Sequence, residues 1–221
     1  MNSPSCRRTA LRESRGVSAV PELAASTDTP PQQVGARPHG QLELICGPMF
    51  SGKSEELMRR LRRVGYARKS AILVKPAIDD RYSVNEVVSH EGQRMAARVV
   101  RKPEAILALA AGCDVVGVDE GQFMDDSLID VCEELIERGV RVVIAGLELN
   151  YRQEPFGPMP RLLAMADEVA KLKAVCHSCG EAAMYTQRLV DGQPAPFSGE
   201  TVVIGGLDSY QARCRACFQP G

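Results

Sequence analysis

Two glycines, a lysine and a serine interrupt an apolar run at Gly47, Pro48, Met49, Phe50, Ser51, Gly52, Lys53 and Ser54, the full G-x-x-x-x-G-K-S/T pattern of a phosphate-binding turn. Backbone amides wrap an anion only where side chains stay out of the way. Glycines at 47 and 52 permit that curvature, and the helix that follows adds unpaired amides and the positive end of its dipole. Lys53 then reaches the outer phosphates and the Ser54 hydroxyl ligates magnesium. A nucleotide site needs a second metal-holding group, and "VVGVDEGQF" supplies one: Asp119 follows an apolar run, where a strand emerges at the sheet edge on which ligands bind. Neighbours at a strand end point to opposite faces, so one of Asp119 and Glu120 holds magnesium or its water while the other faces a reacting hydroxyl. A helix-capping acidic turn is the plainer alternative for this pair.

A second constellation is made of sulfur. Cys176-x-x-Cys179 and Cys214-x-x-Cys217 supply four soft ligands, a set that satisfies tetrahedral zinc and leaves no open position for chemistry. The 34 residues between the pairs exceed the usual ribbon spacing, but a hairpin with a mobile tip brings them together and makes zinc the clamp of a covering loop. A redox dithiol competes with this reading, although one pair would suffice for that role. His177 lies too close to Cys176 to bind alongside it, and Cys6, Cys46, Cys113 and Cys132 are isolated.

The elements that position these groups alternate. "QLELICG" reads as a strand, Ser54 to Ala67 as a helix with Leu57, Leu61 and Val64 on one face, and "SAILVK" as a strand. "RMAARVV" is a strand and "PEAILALAA" a helix opened by Pro103 and followed by Gly112. "DVVGVDE" is a buried strand, "DDSLIDVCEELIERG" a helix ending at Gly139, and "VRVVIAGL" a strand. "MPRLLAMA" continues as helix and "EVAKLKAV" as strand; beyond Cys176, "AAMYTQRLV" and "ETVVIGGL" form hairpin strands around "DGQPAPFSG". Such alternation demands right-handed crossovers and a parallel sheet covered on both faces. The domains expected are a disordered tail over 1–39, an α/β nucleotide-binding domain over 40–175 and a cysteine-bearing unit over 176–221. The tail's Ser, Thr, Pro and Gln cannot bury enough surface to offset the entropy of ordering it; its arginines faintly resemble a transit peptide, but a solvated extension or an over-long start is the favoured reading.

Composition narrows the class. The 221 residues carry 27 Lys and Arg against 28 acids, a net charge of -1, without the broad positive field that a nucleic-acid binder uses. No apolar run approaches the roughly 20 residues of a membrane helix, and no secretory block opens the chain, so a soluble cytoplasmic protein is expected, with no nucleic-acid or membrane partner. The run "RRLRR" at Arg59 to Arg63 reads as a solvated helix face salted by Glu55 and Glu56.

Taken together, "GPMFSGKS", "KPAIDDRY", "DEGQF", "PFG" at Pro155 to Gly157 and the two cysteine knuckles resemble the thymidine kinase family of bacteria and animal cytosol. The resemblance spans roughly residues 40 to 218. It implies a RecA-like phosphate-loop core with a parallel sheet flanked by helices, a small C-terminal zinc-ribbon subdomain with a substrate-covering lasso loop, and a homotetramer. It implies transfer of the γ-phosphoryl group of ATP to the 5'-hydroxyl of thymidine, with Mg2+ and structural Zn2+. Glu120 would then be the catalytic base; Gly47 to Ser54, Asp119, Glu120 and Gln122 would bind ATP. Ser54, Asp79, Arg81 and Asp119 would line the magnesium and phosphate side, with Asp80 an alternative to Asp79. Met49, Leu147, Phe123, Tyr151, Thr186, Thr201, Val203, Ile204, Gly205 and Tyr210 would enclose thymidine, and Gly205 and Gly206 would let the covering loop approach closely. One segment departs from the pattern: "GLELNYRQ" has Glu148 and Leu149 where relatives tend to carry an aspartate and then a small or acidic residue, which bears on the pocket contacts there. A hydrolysing ATPase and a zinc-ribbon adaptor are the rival readings; the first needs a water-positioning residue and usually a basic face.

Overall fold

The structure, a computed structural model, describes residues 39–77, 85–88, 92–198 and 209–221. The expected tail up to residue 38, Asp79, Asp80, Arg81, the strand "ETVVIGGL" and the covering-loop residues Thr201 to Gly206 lie outside them. The chain runs through β1 (Leu42–Cys46), α1 (Lys53–Tyr66), β2 (Ala71–Pro76), β3 (Glu86–Val88), β4 (Arg94–Ala96), β5 (Arg98–Val100), α2 (Ala105–Leu109) and β6 (Val115–Val118). A 3-10 turn at Gly121–Phe123 leads into α3 (Ser127–Glu137), β7 (Arg141–Gly146), α4 (Met159–Met165) and β8 (Glu168–Lys171). The remainder is β9 (Ala174–Val175), β10 (Ala182–Ala183), β11 (Tyr185–Val190), β12 (Gln193–Pro194) and β13 (Tyr210–Arg213).

Six strands form one sheet in the order β5-β2-β6-β7-β1-β8, and each neighbouring pair is parallel. Alternation along β1 distributes its side chains to two cores. Leu42, Leu44 and Cys46 join the cluster under α2, α3 and α4, whereas Ile45 packs with Leu57, Met58, Leu61 and Val64 of α1. Period two in the strand and the apolar stripe of α1 thus place that helix on one face and the other three on the opposite face. Strand β7 sits between β1, which leads into the glycine turn, and β6, which ends at Asp119. The parallel α/β core expected from the alternation is therefore present, with helices on both faces.

Three expected strands are each two. "RMAARVV" divides at Ala97: β4 pairs antiparallel with β3, while β5 joins the main sheet beside β2. Ala97 is buried, and its amide donates to the Asn85 carbonyl, so the chain changes sheets without losing its apolar rhythm. "EVAKLKAV" divides after the Leu172 amide donates to the Cys46 carbonyl at 2.7 Å; β8 edges the main sheet and β9 pairs antiparallel with β10. "AAMYTQRLV" splits into β10 and β11, and β11 pairs with β12 and β13. Hydropathy reports burial and not the identity of the partner strand, which hides such switches. Arg60 also departs from the solvated face expected for the arginine run: it turns inward to Glu43 of β1, while Arg59 stays outside on Glu56. Among the described residues no helix is long and apolar enough to cross a membrane.

Candidate active site

The turn between β1 and α1 is held from several sides. Lys53 donates from Nζ to the Pro48 carbonyl at 2.7 Å, and Ser51 Oγ donates to the same oxygen at 2.8 Å. Gly47 has φ +144, and a Cβ there would lie 2.5 Å from the Leu172 carbonyl oxygen, so no larger residue fits the start of the turn. Its amide donates to Glu148 Oε2 at 2.8 Å, and the Met49 amide donates to Thr186 Oγ1 at 3.0 Å. Helix α1 opens without a side-chain cap, leaving its first-turn amides and dipole end directed at whatever the turn encloses. An open cleft of about 380 Å3 beside the turn is lined by Ser51, Gly52, Glu55, Arg59, Arg62 and Leu172 among others.

Strand β6 brings the acids. The Asp119 amide donates to the Val74 carbonyl at 2.9 Å, extending the pairing with β2, and Ser54 Oγ donates to Asp119 Oδ1 at 3.1 Å. Burial raises the Asp119 carboxyl to about 7, with the Glu120 charge adding and the Ser54 hydroxyl opposing. Burial lowers the Lys53 ammonium, while the charges of Glu120, Asp119 and Glu148 pull it back up. Glu120 sits at φ 55, ψ 41, a left-handed conformation that costs a non-glycine residue on the order of 1 kcal/mol and clusters at functional sites. Its carboxylate accepts from Gln122 Nε2, and Gln122 Oε1 in turn accepts the Leu147 amide at 3.0 Å. The Leu147 donor fixes which way the Gln122 amide points, so its NH2 faces Glu120. Gly157 of "PFG" has φ +52, and a Cβ there would meet the Gln122 carbonyl oxygen at 2.3 Å; the turn exists to let these two backbones touch.

The structure thus joins Lys53, Ser54, Asp119, Glu120 and Gln122 in one network across β1 and β6. The expected pocket residues are more dispersed. Phe123 packs edge-on to Phe156 at 5.4 Å, and Leu147 is half-buried at the end of β7. Tyr151 is buried, with its ring 6.1 Å from that of Phe197, under the Arg152 and Arg188 guanidiniums at 5.4 and 5.3 Å, and its hydroxyl donating to the Pro196 carbonyl at 3.3 Å. Thr186 and Tyr210 lie on β11 and β13, Tyr210 opposite Arg188. Two residues at the turn were not singled out as site residues from sequence. Glu148 appeared only as a departure from pattern, and Lys171 carried no signal because its meaning lies in where β8 ends.

The four thiols converge. Sγ of Cys176, Cys179, Cys214 and Cys217 all lie within 4.8 Å of one another. Paired turns shape the two knuckles: the Gly180 amide donates to Cys176 O at 2.9 Å and the Cys217 amide to Cys214 O at 3.2 Å. The His177 amide donates to Ala212 O and ties one knuckle to the other. Tetrahedral Zn–S bonds of ~2.3 Å place sulfurs ~3.8 Å apart, and Cys179 and Cys214 stand at 3.6 Å, so the set fits a structural metal such as zinc. Phe50 of the glycine turn packs against this cluster.

A model of the family described as thymidine kinase matches residues 40–218. The chain belongs to the thymidine kinase family of enzymes. A protein of Coprothermobacter proteolyticus named "Thymidine kinase" is 52% identical over 175 residues, covering 79% of this chain and 88% of the relative. Proteins of the same name from two strains of Chloroflexus aurantiacus are 50% identical over 184 residues, 82% of this chain and 95% of theirs. Domain III of the Thermotoga maritima replication initiation protein DnaA resembles the chain at a TM-score of 0.38 and 16% identity, over 60% of this chain and 54% of that one, a likeness too slight to carry an argument.

Proposed function

We propose that the chain transfers the γ-phosphoryl group of ATP to the 5'-hydroxyl of thymidine, giving thymidine monophosphate and ADP. The observation that carries this reading is Glu120: a carboxylate in a left-handed turn, held by Gln122 and electrostatically coupled to Lys53 of the glycine turn. Phosphoryl transfer depends mainly on positioning and charge neutralisation. The turn from Gly47 to Ser54 cradles the triphosphate, and Lys53 offsets charge on its outer oxygens. Glu120 takes the proton of the 5'-hydroxyl as that oxygen bonds to the γ-phosphorus and the bond to the β-phosphate oxygen breaks.

Ser54 and Asp119 offer the hard oxygen donors that magnesium prefers, and the crowding of Asp119 by Glu120 is the charge imbalance that a divalent cation relieves. Magnesium would supply neutralisation of the phosphate charge there, with Asp79 and Arg81 on the same side. Met49, Phe123, Leu147, Tyr151, Thr186 and Tyr210, with Thr201, Val203, Ile204 and Gly205 of the covering loop, enclose the nucleoside. Zinc on the four thiolates clamps the 176–221 unit against the 40–175 core. A cytoplasmic homotetramer completes the reading.

Release of ADP, measured with each nucleoside in turn and with chains bearing or lacking residues 1–39, tests it. Turnover that requires thymidine is expected. ATP hydrolysis indifferent to nucleoside, or no turnover with any nucleoside, would refute the assignment.

A further inference from the structure

Glu148 has no place in the phosphoryl-transfer scheme, yet it is buried and meets the phosphate turn directly. The register aligns Cys46 of β1 with Gly146 of β7 on one side and with Lys171 of β8 on the other, so the two strands flanking β1 each deliver a charged residue to the point where the turn begins. Glu148 Oε2 accepts the Gly47 amide at 2.8 Å, and Glu148 Oε1 stands 3.2 Å from Lys171 Nζ. That second contact lies off hydrogen-bond alignment, since Oε1 is buried without an aligned donor; the attraction to Lys171 is one of charge. The Leu172 carbonyl closes the remaining side of Gly47.

A carboxylate with only 8% of its side chain exposed beside a triphosphate site is costly to donor binding, because like charges in a partly desolvated site repel strongly. Its charge is felt at Lys53, so it lies within electrostatic reach of the outer phosphates. Resting on the phosphotransferase reading above, we propose that Glu148 is a positioning residue that fixes the phosphate turn through the Gly47 amide, and that Lys171 is the counter-charge that makes this acid compatible with the donor's phosphates. Glu148 acts on ATP through Gly47 and is not itself a catalytic residue.

The pair is tested with Lys171→Met, Glu148→Gln, Glu148→Leu and the double variant Glu148→Gln with Lys171→Met, by steady-state kinetics varying ATP and thymidine separately and by melting midpoint. Lys171→Met should raise the KM for ATP about tenfold while kcat and the KM for thymidine stay within about twofold, as expected for lost ground-state binding of one substrate. The double variant should recover to within about threefold of the parent, because its substituted side-chain amide still accepts the Gly47 N–H and no unpaired acid remains. Glu148→Leu, which loses the acceptor, should raise the KM for ATP above the Glu148→Gln value. Lys171→Met leaving the KM for ATP unchanged, raising both KM values together, or being worsened by the second substitution would each overturn the proposal. Should Glu148→Leu fail to fold, the Lys171→Met and double-variant comparison decides. Should the parent show no thymidine-dependent turnover, the functional reading fails on its own, and calorimetric ATP affinity of the same variants still decides the role of the pair.

Discussion

Buried charge occurs at two places on the same sheet, and the two are built on opposite principles. In the middle of β1, Glu43 faces α1 and is gripped by Arg141, through contacts of 2.5 and 2.8 Å, and by Arg60. Arg60 continues to Glu56 at 2.9 Å and Glu168 at 3.2 Å. Burial pushes the Glu43 carboxyl up, but the two guanidiniums outweigh it and the net direction is down. At the strand ends, by contrast, the charges of Asp119, Glu120 and Glu148 all bear on Lys53, Lys171 answers Glu148 alone, Asp119 is raised to about 7, and Glu120 holds a strained backbone. The first cluster is closed, with each charge answered by protein, and it ties α1 to β1, β7 and β8. The second is acid-rich and strained, the arrangement of a site organised around a ligand.

If that contrast is right, substitutions in the two clusters should part activity from stability. Glu120→Gln should lower kcat by about a hundredfold or more, the usual range for a positioned base, while ATP affinity and the melting midpoint hold; a loss of ATP affinity with kcat preserved would remove Glu120 from its role. Cys214→Ser should take the metal content, read by atomic absorption, from about one per chain toward none, and a metal content that did not change would contradict the four-thiolate site. Glu43→Gln should do the reverse of Glu120→Gln: about 2–3 kcal/mol lost in urea unfolding, discounted from the fully buried case because Arg141 is partly exposed, with kcat nearly untouched. The sign of its pH dependence follows from the lowered carboxyl. Stability from Glu43 is present above its ordinary value of 4.5 and is lost as pH falls through the lower folded value, so the variant should show a flatter acid limb below that point. Arg59→Ala should have the smallest effect, a midpoint shift within about 1 °C, because the pair with Glu56 is solvent-exposed. An Arg59 effect as large as that of Glu43 would erase the distinction between closed and surface pairs.

Much of the architecture was legible because it depends on local repetition. Alternating strand and helix patterns along the core require a parallel sheet, and the stripe Leu57, Leu61, Val64 points α1 inward whatever lies beneath it. Two C-x-x-C pairs call for one metal irrespective of the path between them. Where the chain changes partner within one continuous run, as at Ala97 or after Leu172, hydropathy is blind, because it carries no information on which strand pairs with which. Arg60 reads as one arginine among four until Glu43 is found under the helix.

The residues alone determined the glycine turn, the acid pair and the thiol set, since each follows from side-chain type and spacing over a few positions. Only the tertiary structure decided that β7 and β8 flank β1, and therefore that Glu148 and Lys171 meet at Gly47. Strand order is a long-range property, fixed by which faces must be buried together, and no short stretch of sequence contains it.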